Sequence, residues 1–428
     1  MANRYITRLA EKQLNILMET SGCVLVSGPK FCGKSEMCKR YAKSRVSLNT
    51  NDAILLAKAN PQAMLTGEKP HLIDEWQKAP DIWNYIKADL DDEYEFGKYL
   101  ITGSTTPANP SVIQHSGAGR ITRMLLRPFS LFESGDSKGQ VSLKELFNDN
   151  YKFKSFLNET NDKTLLNIAS LMCRGGWPIS ILAENNKSIQ LTKNYYNGLF
   201  TIEDESDEFA NFLKGINIEL LKLILKSYAR NISTQCKKRK MISDILDSGE
   251  RFKLSEETFD KYVKILKDLF IVFDMPAWNT NLRSSTVIRT APTHHFVDTS
   301  IALAALDIYP KDLLNDMKSF GLFFEDFVIR DLLIYAQANN GILKHYRDST
   351  GQEVDAIIEL PKGEYGVIEI KIASDDNINE GIKSLNSFEK KIIKAKKTKP
   401  KFKMIITSHG HCYKKDDVYI VPITCLKD

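Results

Sequence analysis

The run Gly28-Pro29-Lys30-Phe31-Cys32-Gly33-Lys34-Ser35 constrains this chain more than any other stretch, because it fits G-x-x-x-x-G-K-[ST] at every required position. A loop of that kind works between a strand and a helix. Cys23-Val24-Leu25-Val26 reads as a short buried strand entering it, and Glu36 to Ala42 as the helix leaving it. The glycines let the backbone turn tightly, so that its N–H groups can face the phosphates of a nucleotide. Gly28, Pro29, Lys30, Phe31, Cys32, Gly33, Lys34 and Ser35 are therefore the expected contacts to ATP. Lys34 would place a point charge on the β- and γ-phosphates, and Ser35 would give a hydroxyl to Mg²⁺.

Such a loop needs an acidic element opposite it, to hold Mg²⁺ and to activate water. His71-Leu72-Ile73-Asp74-Glu75 supplies an apolar strand ending in two carboxylates. At the strand end the two can take different tasks, Asp74 in the Mg²⁺ shell and Glu75 on the attacking water. Tyr99-Leu100-Ile101-Thr102-Gly103-Ser104 reads as a further apolar strand with polar residues at its carboxyl end. Ligands in doubly wound sheets bind at those ends, so Thr102 or Ser104 is expected between the two motifs, sensing the γ-phosphate. Ile82, Trp83, Ile86 and Leu90 recur at helical spacing between these strands. The order is that of a parallel sheet with right-handed crossovers.

Gly117-Ala118-Gly119-Arg120 follows a Ser/Gly/Pro stretch and precedes the strand-like Ile121 to Leu126. Arg120 either reaches a γ-phosphate, in its own subunit or a neighbour's, or is an ordinary salt-bridging arginine. Arg123 and Arg127 are rivals for the role. An arginine supplied by a neighbour would imply a homo-oligomer.

At 428 residues the chain exceeds one ordinary core. No uninterrupted apolar run approaches the ~18 residues that span a bilayer, so no membrane role is expected. Met1 to Ile6 lacks the apolar core of a signal peptide. The seven cysteines include no CxxC pair, which points to reduced thiols, no zinc site and a cytoplasmic setting. A net charge of +5 permits a nucleic-acid partner without requiring one.

From about 150 to 290 the pattern is mainly helical, with Leu220, Leu221, Leu223, Ile224 and Leu225 on one face and Phe259, Val263, Leu266 and Leu269 on another. Lys237-Lys238-Arg239-Lys240 lies between them. Phe270 to Phe273 and Ser285 to Ile288 read as two short strands around a turn. Helices followed by a β-wing are the order of a winged helix-turn-helix, which either docks on DNA or joins the two ends of the protein.

A second constellation lies near the C-terminus. Glu353-Val354-Asp355-Ala356-Ile357-Ile358 and Gly366-Val367-Ile368-Glu369-Ile370-Lys371 read as strands joined through Pro361-Lys362-Gly363. The period of two puts Glu369 and Lys371 on one face, with Asp355 brought beside them if the strands pair. Those carboxylates would hold Mg²⁺ or Mn²⁺, with Lys371 polarising a water, and Glu325 on a helix upstream would add a third carboxylate. The alternative is an inactive surface hairpin. Lys390, Lys391, Lys394, Lys396, Lys397, Lys399, Lys401 and Lys403 follow, either a solvated face or a track for a DNA backbone.

Several segments carry a resemblance across nearly the whole chain: LIDEWQKAPDIWNYIK, ITGSTTP, HSGAGRITRMLLRPFSLFESG, RGGWP, AWNTNLRSSTVIRTAPTHHFVDTS and FFEDFVIRDLLIYA. They are similar to bacterial and archaeal AAA+-type ATPases that carry a C-terminal domain of unknown function 4143. Glu325, Asp355 and Glu369-Ile370-Lys371 resemble the PD-(D/E)xK nuclease pattern, nearest to archaeal Holliday-junction resolvases. The resemblance implies an α/β protein: a P-loop AAA+ ATPase core at 1–150, a helical lid or linker at 151–212, a winged-helix-like domain at 213–297 and a restriction-endonuclease-like domain at 298–428. It also implies hydrolysis of ATP coupled to binding or cutting of DNA, or a nucleotide switch built on an inactive C-terminal domain. Asp298-Thr299-Ser300 departs from the family, which more usually has proline in the middle; the expected effect is on a turn.

Overall fold

The computed structural model describes residues 5–105, 117–155, 164–183, 185–200, 213–247, 254–278, 291–395 and 398–428. They pack into two compact units. One comprises Met1–Pro128, Asn197–Leu221 and Glu257–Ile271; the other comprises Phe129–Tyr196, Lys222–Glu256 and Val272–Asp428.

The first unit is built on five parallel strands: β1 (Cys23–Ser27), β2 (Ser44–Ser47), β3 (His71–Asp74), β4 (Tyr99–Gly103) and β5 (Ile121–Leu125), in the spatial order β2-β3-β4-β1-β5. β1, β3 and β4 are near-continuous apolar runs because a parallel sheet is covered on both faces. Leu25, Ile73 and Ile101 meet Trp83, Ile86 and Leu90 from the helix Ile82–Asp92 in one core. β2 has only Val46 as an apolar residue and lies at the sheet edge against β3, so its sequence gives little sign of a strand. The helix Lys34–Cys38 leaves the loop after β1.

The second unit holds a mixed six-stranded sheet. Its strands are β9 (Ile342–Arg347), β10 (Glu353–Glu359), β11 (Tyr365–Lys371), β12 (Phe402–Thr407), β13 (Tyr413–Lys415) and β14 (Val418–Pro422), in the order β13-β14-β12-β11-β10-β9. The helices Met317–Ala338 and Asp375–Lys394 pack on it, with Leu385 and Phe388 of the latter buried beside Ile357, Val367, Ile405 and Trp278. The N-terminal stretch of the first unit runs to Pro128, where 150 was expected, and residues just beyond it pair with the chain's end. β15 (Leu426–Lys427) pairs in parallel with β6 (Val141–Ser142), and the Ser142 hydroxyl donates to the Asp428 carbonyl at 2.6 Å.

Where Phe270 to Phe273 was expected to form one strand of a wing, β7 (Val272–Met275) overlaps only its last two residues and pairs antiparallel with β8 (Thr293–Phe296). Ser285 to Ile288 lies outside the described residues, as do Lys396 and Lys397. The helices Lys238–Leu246 and Glu256–Asp268, both within the stretch expected to form one domain, fall almost wholly into different units.

Candidate functional site

In the first unit, the carboxyl ends of β1, β3 and β4 bring the phosphate loop and the acidic pair to one edge of the sheet. The loop's shape is enforced by its surroundings. A Cβ on Gly28 would sit 2.2 Å from the Leu126 carbonyl oxygen, so no other residue fits there. Arg8, 3 % exposed, clamps the same place: its guanidinium donates to the carbonyls of Cys32 and Arg127 at 2.9 and 2.7 Å, and to Pro128 at 3.3 Å. Nothing in the pattern around Arg8 marks that role, because its acceptors are backbone carbonyls from two distant segments.

Lys34 is buried and donates to the carbonyls of Gly28 and Pro29 at 2.9 and 2.8 Å, which fixes its ammonium against the loop. Ser35 donates to Asp74 Oδ1 at 2.7 Å, and the Thr102 hydroxyl donates to the same oxygen. Thr102 Oγ1 also accepts the Glu75 N–H at 3.2 Å. Glu75 has φ +61°, a left-handed conformation at the strand end, which separates its side chain from that of Asp74. Its Oε1 accepts from Ser104 at 3.0 Å and its Oε2 from Gln77 at 2.6 Å. Ser35, Asp74, Thr102, Glu75 and Ser104 thus form one connected network, and Gln77 is a member that the sequence did not suggest. The oxygen donors of Ser35 and Asp74 suit a hard cation such as Mg²⁺.

Arg120 is placed elsewhere. The pairing Cys23↔Ile121 and Ser27↔Leu125 puts it at the amino end of β5, with the phosphate loop beyond the other end. Five residues of strand separate them, about 16 Å at ~3.3 Å per residue. Its Nε donates to Asp91 at 2.6 Å on the exposed surface. Arg120 thus sits at the end of β5 opposite the phosphate loop of its own subunit. The Arg123 guanidinium lies over the Trp83 ring, 5.1 Å from its centre. Arg127 follows β5 at the loop's end of the sheet, and burial lowers its pKa to about 10.

In the second unit, Asp355, Glu369 and Lys371 meet where β10 and β11 pair. Lys371 Nζ lies 2.8 Å from Glu369 Oε2 and 3.9 Å from Asp355 Oδ2. Ser384, on the Asp375–Lys394 helix, donates to Glu369 Oε1 at 2.9 Å, and the Ile370 N–H donates to Asp355 Oδ2 at 2.7 Å. β10 shifts register against β9 between Val354 and Ile357, an irregularity that includes Asp355 and can re-aim its side chain. Burial, and then the Asp355 carboxylate, raise the pKa of Glu369 and raise that of Glu325 well above the ordinary range, with Lys371 opposing in both. Burial works against the Lys371 ammonium, but Asp355 and Glu369 outweigh it and its pKa is raised.

Asp355 and Glu369 were expected to hold one or two cations, with Glu325 as a third carboxylate. In this structure Asp355 and Glu369 share the Lys371 ammonium, and among the described residues no group of three or more His, Cys, Asp or Glu side chains gathers as metal ligands would. The lysine-rich run is also partly neutralised: Lys391 pairs with Asp348, Lys401 with Asp149 and Glu364, and Lys403 with Glu389.

The helix that carries Glu325 is anchored just beyond it by buried charges that the sequence pattern did not single out. Asp326 accepts from the Phe296 N–H and the Thr299 hydroxyl at 3.0 and 2.7 Å and lies 3.0 Å from His295 Nδ1. Arg330, 1 % exposed, pairs with Asp298 and Asp331 at 3.0 and 2.7 Å. Asp298 also accepts the Gly176 N–H, and Asp331 the Leu131 N–H, both at 2.8 Å. Thr299 is the first residue of the helix Thr299–Ala305, a position that suits proline. The departure from the family's proline thus falls at a helix start, where the threonine gains a hydrogen bond to Asp326, and not in a turn.

Profile comparison finds an AAA domain over residues 20–134, a domain of unknown function (DUF8612) over 166–312 and a domain of unknown function (DUF4143) over 320–426. Two relatives in curated collections are an uncharacterized protein of Mycobacterium bovis and an uncharacterized protein of Mycobacterium tuberculosis. Each is 23% identical over 383 residues, covering 88% of this chain and 76% of the relative. Among the described residues no helix is long and apolar enough to cross a membrane.

Proposed function

We propose that this chain, an AAA domain followed towards its C-terminus by a domain of unknown function 4143, hydrolyses ATP in its first unit and binds or cleaves DNA with its second. The observation that carries the first half is the network joining Ser35, Asp74, Thr102, Glu75 and Ser104 beside the phosphate loop. Bound Mg²⁺ would neutralise charge on the β- and γ-phosphates. Lys34 and the loop N–H groups would bind those phosphates, and Ser35 with Asp74 would hold the cation. Glu75 orients a water for in-line attack on the γ-phosphorus and takes its proton as the bond to the β-bridging oxygen breaks. Thr102 keeps Asp74 and the Glu75 backbone in register. Arg120 supplied to a neighbour's nucleotide in a homo-oligomer remains compatible with its exposed place at the sheet's far end.

For the second half, the support is the cluster of Glu325, Asp355, Glu369 and Lys371, in which burial and then the neighbouring Asp355 carboxylate raise the pKa of Glu325 and Glu369. A divalent cation held by these carboxylates would favour their ionised forms, and Lys371 would then be released towards a phosphodiester. A second reading is a nucleotide-dependent switch whose C-terminal unit is a protein- or DNA-binding platform without chemistry. The pairing of Lys371 with Glu369, and of three lysines of the basic run with acidic residues, favours it.

One set of assays tests both halves. Phosphate release from ATP should disappear in Lys34→Ala and fall at least 100-fold in Glu75→Gln, with ATP binding retained in the latter. Purified protein with Mg²⁺ or Mn²⁺ and duplex or branched DNA should give cleavage that Lys371→Ala removes. DNA binding without a cleavage difference selects the switch, and neither binding nor cleavage on any DNA form overturns the second half.

A further inference from the structure

Gln77 lies two residues after Glu75, in the short 3₁₀ turn Trp76–Lys78, and only 3 % of it is exposed. Its Nε2 donates to Glu75 Oε2 at 2.6 Å. That donation fixes the amide's orientation, because the reverse would set its carbonyl oxygen against a carboxylate. The amide's Oε1 then points away from Glu75 and, although buried, meets no donor among the described residues; the indole N–H of the adjacent Trp76 is likewise buried without an acceptor among them. Both atoms face the same spot. A Cβ built on Gly103, at the carboxyl end of β4, would lie 3.0 Å from each. A donor and an acceptor left together in a dry site are what one bound water satisfies, accepting from Trp76 Nε1 and donating to Gln77 Oε1.

We propose that Gln77 is a positioning residue for ATP hydrolysis: its amide holds one oxygen of Glu75 while Ser104 holds the other, and a water bound at Gly103 between Gln77 and Trp76 locks the amide. The inference rests on the reading of Glu75 as the residue that activates the attacking water. A glutamate carboxylate turns freely about its side-chain bonds unless its oxygens are held. Two donors on its two oxygens, at 2.6 and 3.0 Å, remove that freedom and leave the remaining lone pairs aimed in fixed directions. Gln77 itself touches neither nucleotide nor water nucleophile in this arrangement. It acts through Glu75, and its loss should therefore appear in turnover and not in binding.

The test uses the full chain with Gln77→Met, which keeps length and bulk but has no N–H. The kcat for ATP should fall about 10- to 100-fold, the range for loss of a group that orients a functional ligand. The Kd for a non-hydrolysable ATP analogue and the melting temperature should stay at wild-type values. In the Glu75→Gln background, whose residual rate is read by release of radiolabelled phosphate, Gln77→Met should cause no further loss. Gly103→Ala, which fills the space between the amide and the indole, should lower kcat in the same sense. An unchanged kcat in Gln77→Met, or a loss that adds in full to that of Glu75→Gln, overturns the proposal. A fall in melting temperature together with weaker analogue binding also overturns it, because it marks a structural role. A wild-type protein that releases no phosphate from ATP overturns the ATPase reading instead.

Discussion

Replacing Lys371 by methionine should make the stability of the second unit strongly dependent on pH. The side chain keeps its length, so packing changes little, but Glu369 and Asp355 lose the ammonium they share at 2.8 and 3.9 Å. Glu369 already has a raised pKa through burial and the Asp355 carboxylate, with Lys371 opposing the shift. Glu369 is already pushed up to about 8 in the wild type, and without Lys371 the folded pair keeps its proton to higher pH still. By linkage, a carboxyl whose folded pKa is raised binds a proton that the unfolded chain has released, so stability falls as pH rises towards that folded pKa. A proton retained by the variant and released by the wild type steepens the fall by about 1.4 kcal/mol per pH unit. Between pH 8 and pH 9.5 the cost of the substitution should thus grow by up to about 2 kcal/mol. Urea unfolding at the two pH values, with hydrogen exchange of the β11 amides to localise the loss, measures it. Added Mg²⁺ or Ca²⁺ should restore stability at pH 9.5 more in the variant than in the wild type, as a cation takes the ammonium's place. A cost equal at both pH values within about 0.5 kcal/mol would refute the assignment of Lys371 as the charge that opposes protonation of these carboxylates.

Gly28→Ala should abolish nucleotide binding in calorimetry while leaving the second unit's unfolding unchanged, since its Cβ would meet the Leu126 carbonyl at 2.2 Å. Arg330→Met should lower stability in urea by about 3–5 kcal/mol, because Asp298 and Asp331 are left buried without their cation. Replacing Asp298 by Asn as well should recover part of that loss, and a double variant no more stable than Arg330→Met would argue against a charge origin.

The two motifs with dense local spacing were legible in the sequence. The phosphate loop is eight consecutive residues, and its strand and helix are named by the residues on either side. Asp74-Glu75 and Thr102-Gly103-Ser104 end apolar runs, so their place at carboxyl ends follows from the parallel order alone. Glu369 and Lys371 are two residues apart on β11, and period two puts them together. β2 escaped because Ser-Arg-Val-Ser has no run to recognise, and the boundary at Pro128 escaped because the partner of Val141–Ser142 is the last strand of the chain.

The sequence by itself determined which chemistry-bearing residues stand close along the chain: a phosphate-loop motif, an acidic pair, and a distant set of carboxylates with one lysine. These are set by residue type at short spacing, and short spacing survives any change in how the chain is packed. Tertiary structure alone decided which groups hold them in place. Arg8 acts on carbonyls of Cys32, Arg127 and Pro128, Arg330 joins Asp298 to Asp331, and Gln77 turns back onto Glu75. It also decided that Arg120 faces away from the phosphate loop of its own subunit, because strand direction, invisible in spacing, sets which end of β5 it occupies. Hydrogen bonds to backbone carbonyls and buried ion pairs need no local pattern. They need only that two distant segments arrive at hydrogen-bonding distance, and the packed fold brings them there.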